Sequence, residues 1–302
     1  MDNLIEINNL TIDYGNGKGI FDFNVNIKKG EVVAIVGSNG AGKSTTMRAL
    51  MGFLSPNKGS ITIDSLDSWK NSKDVKKEVS YLPGEINFPD VGSGETFLKL
   101  LRGYYSIKDE TYMDKLISLF ALDVRVPLRR MSKGMKQKVA LVAAFMKDSP
   151  IILLDEPSTG LDPLMRDNLI NLINEEKSKG KTIIMSSHVF KEIEDTARRV
   201  IFIDKGHIID DVEMNDIYDN GVKEYKIGFK DLSDRENMIK NTKLNVSYIS
   251  NNTNDIRVLL DDTMSNELFQ ELKQYNIESL EYIPYTIETY YERNILGGNI
   301  NE

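Results

Sequence analysis

Cysteine is absent from this 302-residue sequence, which excludes a disulfide framework, a thiol nucleophile and a Cys-ligated zinc. Basic residues are outnumbered, with 38 Lys and Arg against 46 Asp and Glu and a net charge of −8. A nucleic-acid groove needs clustered Lys and Arg, so no nucleic-acid partner is expected. No segment approaches the ~18–20 apolar residues that span a bilayer. The opening Met1-Asp-Asn-Leu-Ile-Glu6 lacks the basic flank and apolar core of a secretory leader. The expectation is a cytoplasmic chain, with any membrane crossing left to another polypeptide. What the chain does have is length and an apolar content of 40%, enough for the core of one large domain and a small second one.

Residues 4–14 and 21–27 alternate as strands. Val32-Val-Ala-Ile-Val36 is continuously apolar, as expected of a parallel strand buried on both faces. Residues 61–63 and 79–82 read as short strands, 88–146 as a helical insert, and 151–154 and 183–185 as a resumed parallel core. Residues 200–204 and 207–211 close as a hairpin around Lys205-Gly206. Over 223–285 the pattern is strand, helix, strand, strand, helix, strand, the order of a split βαβ, ferredoxin-like domain. The predicted class is α/β, a mixed sheet with a parallel core and a helical insert, followed by a small α+β domain. The expected boundaries are 1–212 for the main domain, with its helical subdomain at about 86–148, 213–222 for a linker, 223–295 for the second domain and 296–302 for a flexible tail.

Gly37-Ser-Asn-Gly-Ala-Gly-Lys43-Ser44 sits between the Val32–Val36 strand and a helical pattern, the context a phosphate-binding loop requires. Its glycines let backbone N–H groups point inward, where they and the positive end of the helix dipole meet phosphate oxygens. Gly37, Ser38, Asn39, Gly40, Ala41, Gly42, Lys43, Ser44 and Thr45 are therefore candidate nucleotide contacts. Lys43 is placed to reach the β- and γ-phosphates and Ser44 to offer its hydroxyl to Mg²⁺. A nucleoside triphosphate is the expected ligand; a chance glycine-rich turn is the competing reading.

Ile151-Ile-Leu-Leu-Asp155-Glu156 ends an apolar strand in two carboxylates, at the carboxyl edge where doubly wound sheets bind ligands. Asp155 is placed to hold Mg²⁺, directly or through water, and Glu156 to orient or deprotonate the water that attacks the γ-phosphate. Ser186-Ser-His188 closes the next apolar strand and brings one of only two histidines to the same edge. Ser132 opens a helix whose apolar positions Met135, Val139, Val142 and Met146 keep helical spacing, and is a natural N-cap.

Together these residues resemble the nucleotide-binding subunit of an ATP-binding-cassette (ABC) transporter, over about residues 4–212. Gly37–Ser44 matches the Walker A loop and Ile151–Glu156 the Walker B strand with its catalytic glutamate. Ser158-Thr-Gly-Leu-Asp162 matches the D-loop, His188 the switch histidine and Ser132-Lys-Gly134 the family signature, and Tyr14 lies where the family stacks a ring on adenine. The resemblance implies ATP and Mg²⁺ as cofactors. Glu156, His188 and Lys43 are implied as catalytic. Tyr14, Ser132, Gly134 and Asp162 join the loop as nucleotide contacts, and Ser44, Asp155 and Glu85 are candidate metal ligands. Two cassettes would pair head to tail, ATP on one Lys43 loop being capped by Ser132 and the Gly134 N–H of the other. ATP would close the pair and hydrolysis reopen it. The implied partners are a second cassette, copy or sibling, and a separate multi-spanning permease. The implied location is cytoplasmic and peripheral, on the inner face of the cell membrane through that permease.

The signature reads Met-Ser-Lys-Gly-Met where Leu-Ser-Gly-Gly-Gln is commonest, yet keeps its serine and last glycine. In Tyr81-Leu-Pro-Gly84-Glu85 the family's usual glutamine after proline is Gly84. Either Glu85 substitutes from the next position or the loop is a turn; both readings stand. These two features and the C-terminal extension resemble the bacterial branch associated with drug, peptide and antibiotic export. Phe97, Leu98, Tyr104 and Tyr105 lie in the segment where that family docks its permease, with packing inside the insert as the competing reading. A soluble ABC ATPase regulating a non-membrane partner is the alternative. The chain has no second P-loop, long heptad run or basic tail, features of the ribosome- and DNA-directed forms.

Overall fold

The computed structural model describes residues 3–219, 221–250 and 252–295; the tail expected at 296–302 lies outside them. The chain divides into two compact units, Met1–Glu213 and Met214–Glu302.

The first unit opens with β1 (Asn3–Asp13), β2 (Gly19–Lys28), β3 (Val32–Val36), α1 (Lys43–Leu50), β4 (Lys58–Ile63) and β5 (Leu66–Asp67). It continues with α2 (Ser72–Glu78), β6 (Val79–Leu82), α3 (Gly94–Tyr105), α4 (Thr111–Leu119) and α5 (Lys133–Phe145). It closes with β7 (Ile151–Asp155), α6 (Pro163–Ser178), β8 (Thr182–Ser186), α7 (Phe190–Thr196), β9 (Arg199–Asp204) and β10 (His207–Glu213). Two sheets form. The alternating strands make an antiparallel sheet in the order β2-β1-β4-β5, consistent with one covered and one wetter face. The second sheet runs β10-β9-β3-β8-β7-β6, parallel except for β10. Its strands β3, β7 and β8 are buried along their whole length, the pattern of parallel strands covered on both faces. One apolar core joins Ile5, Ile7 and Leu10 of β1 to Val33 and Ile35 of β3, with Met47 and Leu50 of α1 in the same cluster.

Register decides where chemistry is possible. Ser186 pairs with Ile35 on one side and with Asp155 on the other, so β3, β8 and β7 end level and their loops emerge at one edge. The helical insert α3–α5 is the crossover between β6 and β7, which are parallel neighbours. It is pinned to α6. The Tyr112 hydroxyl donates to Glu176 at 2.8 Å, Lys115 Nζ to Glu175 at 2.6 Å, and Asn168 Nδ2 to the Leu119 carbonyl at 2.9 Å.

Glu176 is fully buried and also meets Lys179 at 2.6 Å and Lys181. Burial alone would push its carboxyl up; hydrogen bonds from Lys179, Lys181 and Tyr112 more than offset this and hold it below its ordinary 4.5. The stability this carboxylate contributes is therefore present above that value and lost as pH falls through the folded one. Glu176→Gln should cost about 3 kcal/mol at pH 7, because it removes the buried carboxylate on which Lys179, Lys181 and the Tyr112 hydroxyl converge and leaves Lys181 only the exposed Asp148. The deficit should shrink on acidification; urea melts of both proteins at pH 7 and pH 4 measure it, and equal stabilities at pH 7 would contradict it.

The second unit holds α8 (Met214–Tyr218), β11 (Val222–Phe229), α9 (Leu232–Asn241), β12 (Asn245–Ile249), β13 (Asp255–Asp261), α10 (Ser265–Leu272), β14 (Ile277–Ile283) and α11 (Ile287–Tyr290). Residues 213–222, expected as a linker, thus include a one-turn helix and the ends of two strands. The sheet order is β12-β13-β11-β14, antiparallel throughout, which is the strand order of a split βαβ unit. Its core packs Ile227 and Phe229 of β11 and Ile256 and Val258 of β13 with Met238 of α9 and Leu268 of α10.

Candidate active site

The loop after β3 closes a cavity of about 200 Å³ lined by Ser38, Asn39, Gly40, Gly42, Lys43, Ser44, Thr45 and Glu156. Gly37 and Ala41 complete the loop behind it. Gly42 precedes α1 at φ 115°, a left-handed conformation that glycine adopts without a Cβ clash, and the chain then turns directly into the helix. The N-terminus of α1 therefore faces the cavity with free N–H groups. Lys43 is 7% exposed. Its ammonium donates to the carbonyls of Gly37 at 2.7 Å and Ser38 at 3.2 Å, and lies 3.6 Å from Glu156 Oε1.

The carboxylates come from the end of β7. Asp155 is 1% exposed, and its Oδ1 accepts from the Ser186 hydroxyl at 2.6 Å. Among the described residues no Lys, Arg or His pairs with it. Burial, and then the Asp155 charge, push the Tyr81 phenol up to about 12, so Tyr81 stays protonated near neutrality. Glu156 follows at φ 51°, left-handed for a residue with a side chain, at a cost of about 1–2 kcal/mol. Its N–H is held by the Ser186 carbonyl at 3.1 Å and hydroxyl at 3.0 Å. Its Oε2 meets His188 Nδ1 at 2.6 Å. Lys43, Ser44, Asp155, Glu156 and His188 are thus gathered from three strand ends at one edge.

The other expected residues lie elsewhere in this unit. Tyr14 follows β1, is 54% exposed and does not line the cavity. Ser132 is exposed and caps α5, accepting from Met135 N–H at 3.2 Å; Gly134 follows within the first turn. Asp162 caps α6, accepting from Met165 N–H at 3.0 Å. Glu85 is exposed and lines a different cavity with Lys133, Lys136 and Gln137. Gly84 stands against Asp155, where a Cβ would fall 3.0 Å from Oδ2. Among the described residues no group of three or more His, Asp and Glu could by itself hold a metal.

Two residues went unnoticed in the sequence. Gln137 Nε2 donates to the Pro157 carbonyl at 2.7 Å, and its place on the apolar stripe of Leu141 and Ala144 was the available clue. Glu192 is 1% exposed behind the switch, where it accepts from Ser187 Oγ at 2.9 Å and lies 3.3 Å from Arg166 Nε. Burial pushes its carboxyl up, partly offset by hydrogen bonds from Ser158 and Ser187.

A second cavity, of about 360 Å³, includes Phe53, Phe88, Phe97, Leu101, Tyr104 and Tyr105 in its lining. Phe88 and Phe97 meet edge to face at 4.9 Å, and Tyr104 is 82% exposed. Leu98, by contrast, is buried in the insert. Pro83 and Ile86, on either side of the Gly84-Glu85 pair, also border this groove.

The family model described as "ABC transporter" matches residues 20–159. The ABC transporter ATP-binding protein NatA of Bacillus subtilis (strain 168) is 34% identical over 209 residues, 67% of this chain and 85% of that one. The SkfA peptide export ATP-binding protein SkfE of the same organism is 32% identical over 214 residues, 69% of this chain and 89% of that one. A solved structure titled as the ATP-binding subunit of an ABC transporter superposes with a TM-score of 0.66 at 30% identity, covering 72% of this chain and 92% of the other.

Proposed function

Because this chain belongs to the ABC transporter family and is an ATPase of it, we propose that it is the energy-supplying subunit of an exporter, paired with a second cassette and bound to a separate membrane permease. The observation that carries this reading is the convergence of Lys43, Ser44, Asp155, Glu156 and His188 on one sheet edge. Ser132, at the start of α5, is absent from the cavity lining. That arrangement supports a site completed by a second cassette.

In this mechanism ATP phosphates enter the loop cavity and draw Lys43 away from the Glu156 carboxylate. Glu156, released, faces the attacking water and takes its proton, with His188 holding Oε2 and orienting the carboxylate. Asp155 and Ser44 fit Mg²⁺. The first is a buried carboxylate with no Lys, Arg or His paired to it among the described residues, the second a hydroxyl at the cavity wall, and Mg²⁺ takes few protein oxygens and fills its shell with water and phosphate. When bound, Mg²⁺ supplies positive charge to the phosphate oxygens. Ser132 and the Gly134 N–H act on the nucleotide of the second cassette.

The groove of half-buried Phe88 and Phe97 and exposed Tyr104 is the proposed permease dock, since an accessible apolar groove of this kind marks an interaction surface. Its border at Pro83 and Ile86 flanks the Gly84-Glu85 pair, and Gly84 touches Asp155, so the groove and the phosphate site share a segment. Among the described residues no helix is long and apolar enough to cross a membrane. The proposed location is the inner membrane face, through the permease. The export assignment leans on the similarity to SkfE. No observation on this chain favours a soluble partner instead.

The test is to tag the Glu156→Gln chain in its native cell, solubilise in mild detergent with Mg-ATP, and identify bound proteins by mass spectrometry. A multi-spanning membrane protein is expected. Recovery of soluble partners alone would remove the ATPase from transport.

A further inference from the structure

Gln137 is 3% exposed on α5. Its side-chain N–H groups point at the strap that follows β7, donating to the Pro157 carbonyl at 2.7 Å and reaching the Glu156 carbonyl at 3.5 Å. The same helix starts five residues earlier at its Ser132 cap. Within the first turn, Gly134 packs so tightly that a Cβ there would lie 2.5 Å from the Gly160 carbonyl. A helix start and a strap joined at two points within one turn cannot shift independently, because packed elements move as bodies rather than deform.

We infer that Gln137 is a positioning residue that couples the two ATP sites, by tying Ser132, which caps the partner cassette's nucleotide, to the backbone of the chain's own Glu156. The inference rests on the head-to-tail pairing proposed above. ATP captured by Ser132 in the partner's site would set α5, and α5 would set the Pro157 and Glu156 carbonyls through Gln137. The tie acts in both directions: a strap freed from α5 also lets Ser132 shift over the partner's nucleotide, so turnover at each site depends on Gln137 of both cassettes. Loss of the amide leaves the buried Pro157 carbonyl without this donor and frees the strap from the helix.

The experiment uses two differently tagged copies of the chain, one carrying Glu156→Gln so that only the other copy's site turns over. Gln137→Met, similar in length and helix propensity, is placed in either copy, and Gln137→Glu serves as a second substitution of the same shape. Turnover should fall about tenfold or more in both placements, since small misplacements of reacting groups cost that much. ATP affinity of the isolated copy should stay within about twofold. Loss confined to the copy with the active Glu156 would reduce Gln137 to a local prop and overturn the coupling, as would no loss in either placement. Ser132→Arg in the Glu156→Gln copy runs alongside. Full turnover there removes the head-to-tail premise and the coupling with it; turnover lost there but unaffected by Gln137→Met removes the coupling alone.

Discussion

Glu156→Gln should lower ATP turnover by about 10²–10⁴-fold, the range a general base contributes, while ATP binding is retained. Glutamine keeps the side chain's length and its contact with His188, now 2.6 Å from Oε2. It loses the charge that accepts a proton. It also loses the attraction to Lys43, whose ammonium lies 3.6 Å from Oε1, so the lysine becomes more available to phosphate rather than less. A bound triphosphate that cannot be cleaved should hold the cassettes together. Phosphate release under saturating Mg-ATP and light scattering in the same buffer read out the two effects. Hydrolysis at the unaltered rate would show that another group takes the proton.

Lys43→Ala should have the opposite signature, weakening ATP binding by about 10–100-fold. A charge-assisted hydrogen bond is worth about 1.5–3 kcal/mol, and each 1.4 kcal/mol is about tenfold in affinity. The ammonium is preorganised, since two loop carbonyls at 2.7 and 3.2 Å already hold it at the cavity wall. Lys43→Met, which keeps most of the buried stem, separates loss of charge from loss of packing. Titration with a fluorescent nucleotide at low and high salt distinguishes them, because only the charge effect fades with screening. Unchanged affinity in both variants would place the nucleotide outside this loop.

The nucleotide loop, the two carboxylates and the histidine were legible because each follows a short apolar run, and parallel strands that end level must present their ends together. The register Ile35, Ser186, Asp155 is the physical content of that expectation. Within the second unit the strands and helices between residues 223 and 285 were likewise readable from periodicity, whereas the short helices α8 and α11 were not. The division of the first unit into two sheets was not, although alternating β1 and β2 differ in pattern from the fully buried β3, β7 and β8. Gln137 and Glu192 escaped for a different reason. Their partners are a backbone carbonyl and a hydroxyl 20 and 5 residues away, and such hydrogen bonds depend on how closely α5 and α7 approach the strap and the switch. Spacing along the chain does not encode that approach. Glu85 shows the same limit: a carboxylate adjacent in sequence to the Asp155 contact at Gly84 lines another cavity.

The left-handed backbone of Glu156 gives the two demands on that position opposite preferences. Folding alone would favour glycine there, or asparagine, and would discard a long side chain whose backbone energy rises in that conformation. The chemistry asks for a carboxylate and accepts the conformational debt. Drift under selection for stability would therefore erase the catalytic group first, and the fold would gain from losing it. An inactive descendant of this protein should consequently carry its mark at one residue just beyond a parallel strand, where relaxation of the main chain and loss of the proton acceptor arrive in a single substitution.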